Sequence, residues 1–440
     1  NFQELLMPTS KTSGGYDNCM VKNPFLLAGA SALSLLAALP SQKDLRDIIT
    51  LSNGRVIKGR VVTQHTPDEV LILAGGKRTR VEITQIASRE LVADKVREFF
   101  QRRHRHRGSK RALRYLVDWA KSQQLDNLAS LQAMELVLQD DDDAAMHKFL
   151  GHSQRGGVWR WPNGSKTQTL EQLHQSIRKR PLRIEGERFA IRFDTSLLLN
   201  VHALLDLEQL GVSWFEMFGQ DLRLKEVLKP IEIQTYRNPT EFPKWGFRPR
   251  PYFEPPPHAD LGRTYYTGAN PTRPDDLFFL GTQGLLYRTM IGQVNQQSSR
   301  DRACAWVEVG LGMHMQQIMK GPAGFALPSQ PGKMDMHAIG ALGRNYRLTH
   351  LTHLPMYGGF YLTSDRTTAT NWSAALMFAT WLLDDDKKSK PTRDDFLSYT
   401  RAVLADHQGD SSTTFDRVMG QPIEQFDEPW RVWLHEVAHN

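Results

Sequence analysis

Residues 288–297 (RTMIGQVNQQ) and residues 305–311 (AWVEVGL) decide which fold this sequence predicts. Both stretches have the composition of a helix. In the first, Gly292 and Gln296 are one helical turn apart, so they lie on the same helix face. A second helix, starting near Trp306, would lie beside the first. Metal sites between two helices use this spacing, so the residue types at these positions determine what chemistry the site can perform.

The residues at these positions provide no set of metal ligands. Gly292 offers no donor atom, and Val309 offers only methyl groups. Gln293 and Gln296 are neutral amides, which bind zinc poorly and accept no proton from bound water at neutral pH. Glu308 supplies one carboxylate, but catalytic zinc requires three protein ligands. The two stretches therefore predict a site of this geometry with no metal and no catalytic residue.

This spacing resembles the active site of the gluzincins, which are zinc peptidases of the peptidase MA type. In that family a His-Glu-x-x-His helix provides two zinc ligands and the catalytic base, and a glutamate on a later helix provides the third ligand. The resemblance implies four replacements in this chain: the first His by Gly292, the base by Gln293, the second His by Gln296 and the third ligand by Val309.

The order of predicted elements extends the resemblance over residues 182–440. The residue patterns predict a strand at 189–194, a helix at 197–219, a strand at 231–236, and later helices at 372–383, 396–405 and 430–437. This order is similar to that of a degenerate gluzincin-like domain in secreted bacterial proteins of unknown function. The resemblance therefore implies the gluzincin-like metallopeptidase fold for this part of the chain.

The resemblance implies a pseudoenzyme: a metallopeptidase-like domain without zinc. We expect a non-catalytic protein with no cofactor, which binds a peptide or protein in the former substrate groove or serves as a scaffold. The candidate binding residues are Gln293, Gln296, Gln297 and Glu308. The alternative is an active zinc metallopeptidase with an atypical metal site. Candidate ligands for such a site are His258, His314, His337, His350 and His353, although Pro355 predicts a loop with surface histidines around the last two.

Length and composition predict a multidomain α+β protein. A chain of 440 residues is too long for one ordinary core, and 40% apolar with 23% charged residues is typical of globular proteins. The predicted parts are an extension with a signal peptide at 1–42, a small β-barrel at 43–90, a helical segment at 91–150, a linker at 151–181 and the gluzincin-like domain at 182–440.

Two kinds of periodicity distinguish the middle parts of the chain. Residues 48–86 alternate apolar and polar side chains, with glycine-containing hairpin turns at 53–54 and 75–76, which predicts a small barrel of the SH3 or Sm type. In residues 91–150 the apolar side chains recur at helical spacing, and an acidic turn at 140–143 precedes the last helix. This pattern predicts one tetratricopeptide-like hairpin, which must pack against its neighbours because a single unit forms no solenoid.

A basic run, RRHRHR at 102–107 with Lys110, Arg111 and Arg114 beyond it, contributes much of the net charge of +7. One interpretation is attraction to an anionic partner, either nucleic acid or a membrane surface. The other is a solvated junction between the barrel and the helices. Few aromatic residues are interleaved with the basic ones, as base stacking would require, so the sequence favours the junction and does not indicate nucleic acid as a partner.

The amino-terminal region predicts export. Lys22 precedes an apolar stretch at 25–39 that is too short to span a membrane comfortably, which is typical of a secretory signal peptide starting at Met20. We therefore expect a secreted, periplasmic or cell-envelope protein, with membrane attachment only if this segment stays uncleaved. The two cysteines are Cys19 and Cys304, so a processed chain has a single thiol and no internal disulfide.

Overall fold

The computed structural model has a mixed α+β fold, as the sequence predicts. It describes residues 46–63, 68–163, 166–237, 252–254, 261–265, 276–291, 305–320, 342, 346–354, 359–360, 365–384, 391–404 and 411–439. None of the helices within these ranges combines the length and the apolar composition needed to cross a membrane. The predicted signal segment at 25–39, together with Cys19 and Cys304, lies outside the described residues, and export stays a prediction.

The first sheet is antiparallel and has five strands in the order β4-β3-β2-β1-β5. The hairpin turns expected from the sequence are present, and Gly54, Gly75 and Gly76 adopt the positive φ angles that such turns require. Buried Ile49 and Ile72 belong to an apolar core separate from that of the remaining chain. The strands are Asp47–Leu51 (β1), Val56–Thr63 (β2), Glu69–Ala74 (β3), Lys77–Glu82 (β4) and Ile86–Glu90 (β5).

Four helices follow the sheet, and the basic run closes the first of them. Arg103 donates to the buried carboxylate of Glu135 at 2.8 Å. Farther along, Arg114 donates to Asp143 at 2.6 Å. These ion pairs neutralise part of the run within the fold, while residues 104–111 are exposed. The helices are Val92–Arg105 (α1), Lys110–Ser122 (α2), Asp126–Gln139 (α3) and Ala144–Phe149 (α4).

The segment predicted to be a linker, 151–181, contains three short strands and a helix. Trp161 is buried, and the imidazoles of His147 and His152 lie beside it, with the two Nδ1 atoms 2.7 Å apart. Trp161, Leu173 and Ile177 belong to the main apolar core, so the segment packs against the rest of the chain. The elements are Ser153–Arg155 (β6), Val158–Asn163 (β7), Lys166–Gln168 (β8) and Leu170–Ile177 (α5).

The second large sheet has the strand order β12-β13-β11-β10-β9, with parallel strands at its centre and an antiparallel strand at each edge. The strands and helix predicted between 189 and 236 are confirmed, because each has a clear apolar pattern. One edge strand, Tyr252–Glu254, falls in the proline-rich segment 248–258. The elements are Leu182–Glu185 (β9), Phe189–Phe193 (β10), Leu197–Phe218 (α6), Ile231–Tyr236 (β11), Tyr252–Glu254 (β12) and Leu261–Tyr265 (β13).

The described residues after β13 are mainly helical, and the three late helices predicted from sequence are present. His350 lies in a short helix where a loop was expected, because the Asp427 carboxylate accepts the backbone N–H of Leu348 at 2.8 Å and caps its start. The elements are Asp276–Leu286 (α7), a π-helical turn at Tyr287–Ile291, Ala305–Lys320 (α8), Leu348–Thr352 (α9), Asp365–Leu383 (α10), Arg393–Leu404 (α11), Ser411–Met419 (α12) and Asp427–His439 (α13).

Candidate functional site

The candidate site lies where α7 and α8 pack against each other. Near the start of α7, the Phe279 ring is so close to α8 that a Cβ added to Gly312 would lie 2.7 Å from it. At the other end, the Tyr287 hydroxyl donates to Glu308 Oε2 at 3.2 Å. The two contacts run in opposite directions along the two helices, so α7 and α8 are antiparallel.

Small residues allow α7 to lie in the middle of the fold. A Cβ on Gly281 would lie 2.6 Å from a Leu210 methyl group of α6, and a Cβ on Gly284 would lie 2.5 Å from a methyl group of Ile231 in β11. Real side chains do not tolerate such distances, so glycine is required for α7 to touch both the helix and the sheet. The helix is therefore buried on several sides, and its sequence lacks the one-sided apolar stripe of a surface helix.

One polar side chain interrupts the apolar contact between α7 and α8. Gln283 follows Phe279 by four residues and shares the face that is directed toward α8. The residue is 3% exposed, and its Oε1 atom has no hydrogen-bond partner. A buried amide oxygen without a partner costs about 1–3 kcal/mol of folding free energy. Its presence here is a local cost to stability, which is common at functional sites.

A π-helical turn connects the end of α7 to the edge of the sheet. The ring of Tyr287 stacks on that of Phe253 in the edge strand β12, with centroids 5.5 Å apart and planes inclined by 15°. Farther along the turn, the carbonyl of Thr289 accepts the backbone N–H of Lys225 at 3.0 Å. Isolated π-helical turns occur often at functional sites, because they redirect side chains that a regular helix would bury.

Two of the site residues predicted from the sequence, Val309 and Glu308, lie within the described part of the structure. Val309 is fully buried in α8, and Glu308 is 2% exposed and bonded to Tyr287. The positions predicted to replace the family's helix ligands, together with a neighbouring candidate, lie outside the described residues: Gly292, Gln293, Gln296 and Gln297.

Among the described helices, α7 packs on α8 and precedes the predicted ligand stretch in the chain. At the His-Glu-x-x-His spacing, α7 has Thr282, Gln283 and Leu286. All three are buried, and the Thr282 hydroxyl donates to the carbonyl of Phe278 at 2.8 Å.

Three of the five histidines proposed for a relocated metal site, His314, His350 and His353, lie within the described residues. The Nδ1 atom of His314 lies 3.1 Å from the Thr380 hydroxyl, and burial lowers the pKa of this imidazole to about 4. His350 lies in α9 and His353 just after it, whereas His258 and His337 lie outside the described residues. Within the described ranges, no three His, Cys, Asp or Glu side chains are grouped so that they could hold a metal ion.

The chain was compared with protein-family models and with curated proteins. No protein-family model matches the chain, and no curated protein is significantly similar to it.

Proposed function

We propose that residues 182–440 form a gluzincin-like domain and that residues 46–90 form a barrel of the SH3 or Sm type. The mixed sheet with an antiparallel edge strand, followed by two packed helices, supports the first assignment. The five antiparallel strands with two tight hairpins support the second. The helices between them then form a spacer that resembles a single tetratricopeptide-like unit.

The function best supported is that of a zinc-free pseudopeptidase that binds a peptide or protein without cutting it. One observation carries this proposal: both placements of the family motif give residues that do not bind zinc. The sequence placement gives Gly292 and Gln296, and the placement on α7 gives Thr282 and Leu286; the third ligand position is Val309 in both. With no ligand triad there is no activated water for hydrolysis.

The proposed groove beside α7 would offer a strand edge to an extended peptide. Among the described strands, β12 is the last of its sheet and pairs with β13 along one side. Added strands bind to such edges through backbone hydrogen bonds. The stacked rings of Phe253 and Tyr287 and the buried carboxylate of Glu308 lie next to this edge and supply apolar and polar contacts. A scaffold role without peptide binding is the second reading.

Zinc content distinguishes the pseudopeptidase from an active enzyme with an atypical metal site. The full chain is incubated with excess zinc chloride, passed through a desalting column and analysed for metal, and hydrolysis of a mixed peptide substrate is followed with and without zinc. We expect well below one equivalent of zinc and no zinc-dependent cleavage. One tightly held zinc ion per chain, together with cleavage that stops on chelation, would establish the alternative.

Peptide binding is tested with a library of random decapeptides presented to the immobilised full chain. The Gln293→Trp variant places a bulky ring in the predicted groove, and we expect the selected peptides to bind it at least about tenfold more weakly, with little change in melting temperature. Gln101→Trp, an exposed position in α1, is the matched control and should bind normally. Equal binding by the folded Gln293→Trp variant would leave a scaffold without a working groove.

A further inference from the structure

A second cleft lies between the barrel and the body of the protein, away from the α7–α8 contact. Its volume is about 480 Å³, within the usual range for ligand sites. One wall comes from the barrel and includes Lys58, Arg60 and Leu73. The other comes from the second sheet and the segment before β11, and includes Glu187 and Leu228. The cleft is therefore lined by charged and apolar side chains together.

The lining of the cleft has more cationic than anionic side chains, with Arg46, Lys58 and Arg60 against Glu185 and Glu187. Glu185, on the body side, is paired with Arg183, which also bonds to Glu232 at 2.6 Å. On the barrel side, Lys58 is exposed, and the Nε atom of Arg60 is buried with no hydrogen-bond partner. An anionic group that enters the cleft would therefore meet cationic side chains that the carboxylates of the protein do not fully neutralise.

Glu187 lies at the inner end of the cleft and modulates this charge. Its carboxyl group is close to Arg60 of β2, the adjacent Arg188, Glu208 of α6 and Asp126 of α3. Burial, followed by the charge of Glu208, raises the pKa of Glu187 to about 8. Below that pH the group is mostly neutral, and the cationic side chains dominate the cleft.

We infer that this cleft binds an acidic peptide, with Lys58 and Arg60 receiving carboxylates and Leu73 and Leu228 receiving apolar side chains. Leu228 is 45% exposed, so its side chain is accessible to a ligand in the cleft. An isolated phosphate would use the cations but leave the apolar wall unoccupied. A peptide that alternates acidic and apolar residues uses both walls, and electrostatic attraction steers it into place.

The test uses the full chain and two fluorescein-labelled pentapeptides, Glu-Leu-Glu-Leu-Glu and Gln-Leu-Gln-Leu-Gln, followed by fluorescence anisotropy at low salt. We expect saturable binding of the first and at least about tenfold weaker binding of the second. Lys58→Glu and Leu228→Asp should each weaken binding of the acidic peptide by about tenfold. Arg55→Glu is the matched control, because it reverses an exposed charge in the hairpin turn between β1 and β2, outside the cleft.

The pH dependence separates the cleft from general attraction to a basic protein. Binding of the acidic peptide should weaken as the pH rises from 7 to 9, since Glu187 ionises in this range, and Glu187→Gln should remove most of that change. Absence of binding, equal affinity for the two peptides, or an Arg55→Glu variant as impaired as Lys58→Glu would each overturn the inference. The Gln293→Trp variant should bind normally, so failure here is distinguishable from failure of the groove beside α7.

Discussion

Replacement of Glu208 tests how a buried carboxyl group makes the stability of this fold depend on pH. It is fully buried in α6, and its Oε1 atom accepts the backbone N–H groups of Arg188 and Phe189 at 2.7 and 2.8 Å. The carboxylate also lies over Gly186, where a Cβ would be 2.3 Å from Oε1. Glu208 therefore holds the turn between β9 and β10 against α6. We predict that Glu208→Gln preserves this contact and changes how stability depends on pH.

The direction follows from the pKa of this carboxyl group, which burial raises from 4.5 to about 7. The folded state then holds a proton that the unfolded state releases, so the stability that this group contributes is complete below pH 4.5 and is lost as the pH rises toward 7. A difference of this size corresponds to about 3 kcal/mol. Glutamine has no proton to lose, and its amide nitrogen takes the place of Oε2, which has no hydrogen-bond partner.

Urea unfolding of the full chain, followed by tryptophan fluorescence, measures the effect. Wild type and Glu208→Gln should have similar stability near pH 4.5, and the variant should be more stable at pH 8, by up to about 3 kcal/mol. Glu208→Ala should be destabilised at both pH values, because two backbone N–H groups lose their acceptor. Glu171→Gln, an exposed change in α5, is the control. Parallel pH curves for wild type and Glu208→Gln would refute the reasoning.

Two further predictions concern packing and acid stability. Gly310→Val should destabilise the protein by about 1–3 kcal/mol in thermal unfolding, because a Cβ would lie 2.6 Å from the Ala375 carbonyl oxygen of α10. The control Ala145→Val, at an exposed position, should lower the free energy of unfolding far less. Equal losses in the two variants would contradict the close approach of Gly310 to α10. His152 has its pKa lowered to about 3, first by burial and then by His147, so its contribution to stability is lost as the pH falls from 6.5 toward 3. His152→Phe should therefore lose less stability than wild type between pH 7 and pH 4 in urea unfolding, and an unchanged pH dependence would contradict this.

The elements that sequence predicts well are those with one exposed and one buried face. The strand Ile231–Tyr236 alternates buried and half-exposed residues along its length, so period two marks its bounds. The turn at Gly75 and Gly76 is predictable for a different reason, since positive φ angles favour glycine. In such segments local chemistry and tertiary packing select the same conformation.

The segments that sequence predicted poorly depend on distant partners. The strand Tyr252–Glu254 lies among prolines, and it persists because an edge strand forms ladder bonds on only one side. The short helix at His350 depends on Asp427, which is far away in sequence. The helix α7 has no one-sided apolar stripe, because it is packed against α6, α8 and the second sheet, so periodicity does not show which of its residues face α8. The site stays a prediction at Gln293, Gln296 and Gln297, which lie outside the described residues.

The segment between α6 and β11 has a consequence for how the two proposed sites relate to each other. The backbone of Glu226 donates to Val62 in the first sheet at 2.7 Å, and the preceding residue, Lys225, donates to Thr289 in the π-helical turn. Neighbouring peptide units therefore contact both the first sheet, which lines the cleft, and the turn beside the proposed groove. If a ligand in the cleft moved the first sheet, it would also move this turn, and thermodynamic reciprocity would then require a ligand in the proposed groove to change affinity at the cleft by the same factor. A fragment beginning at residue 182 would lack the first sheet and, with it, this coupling.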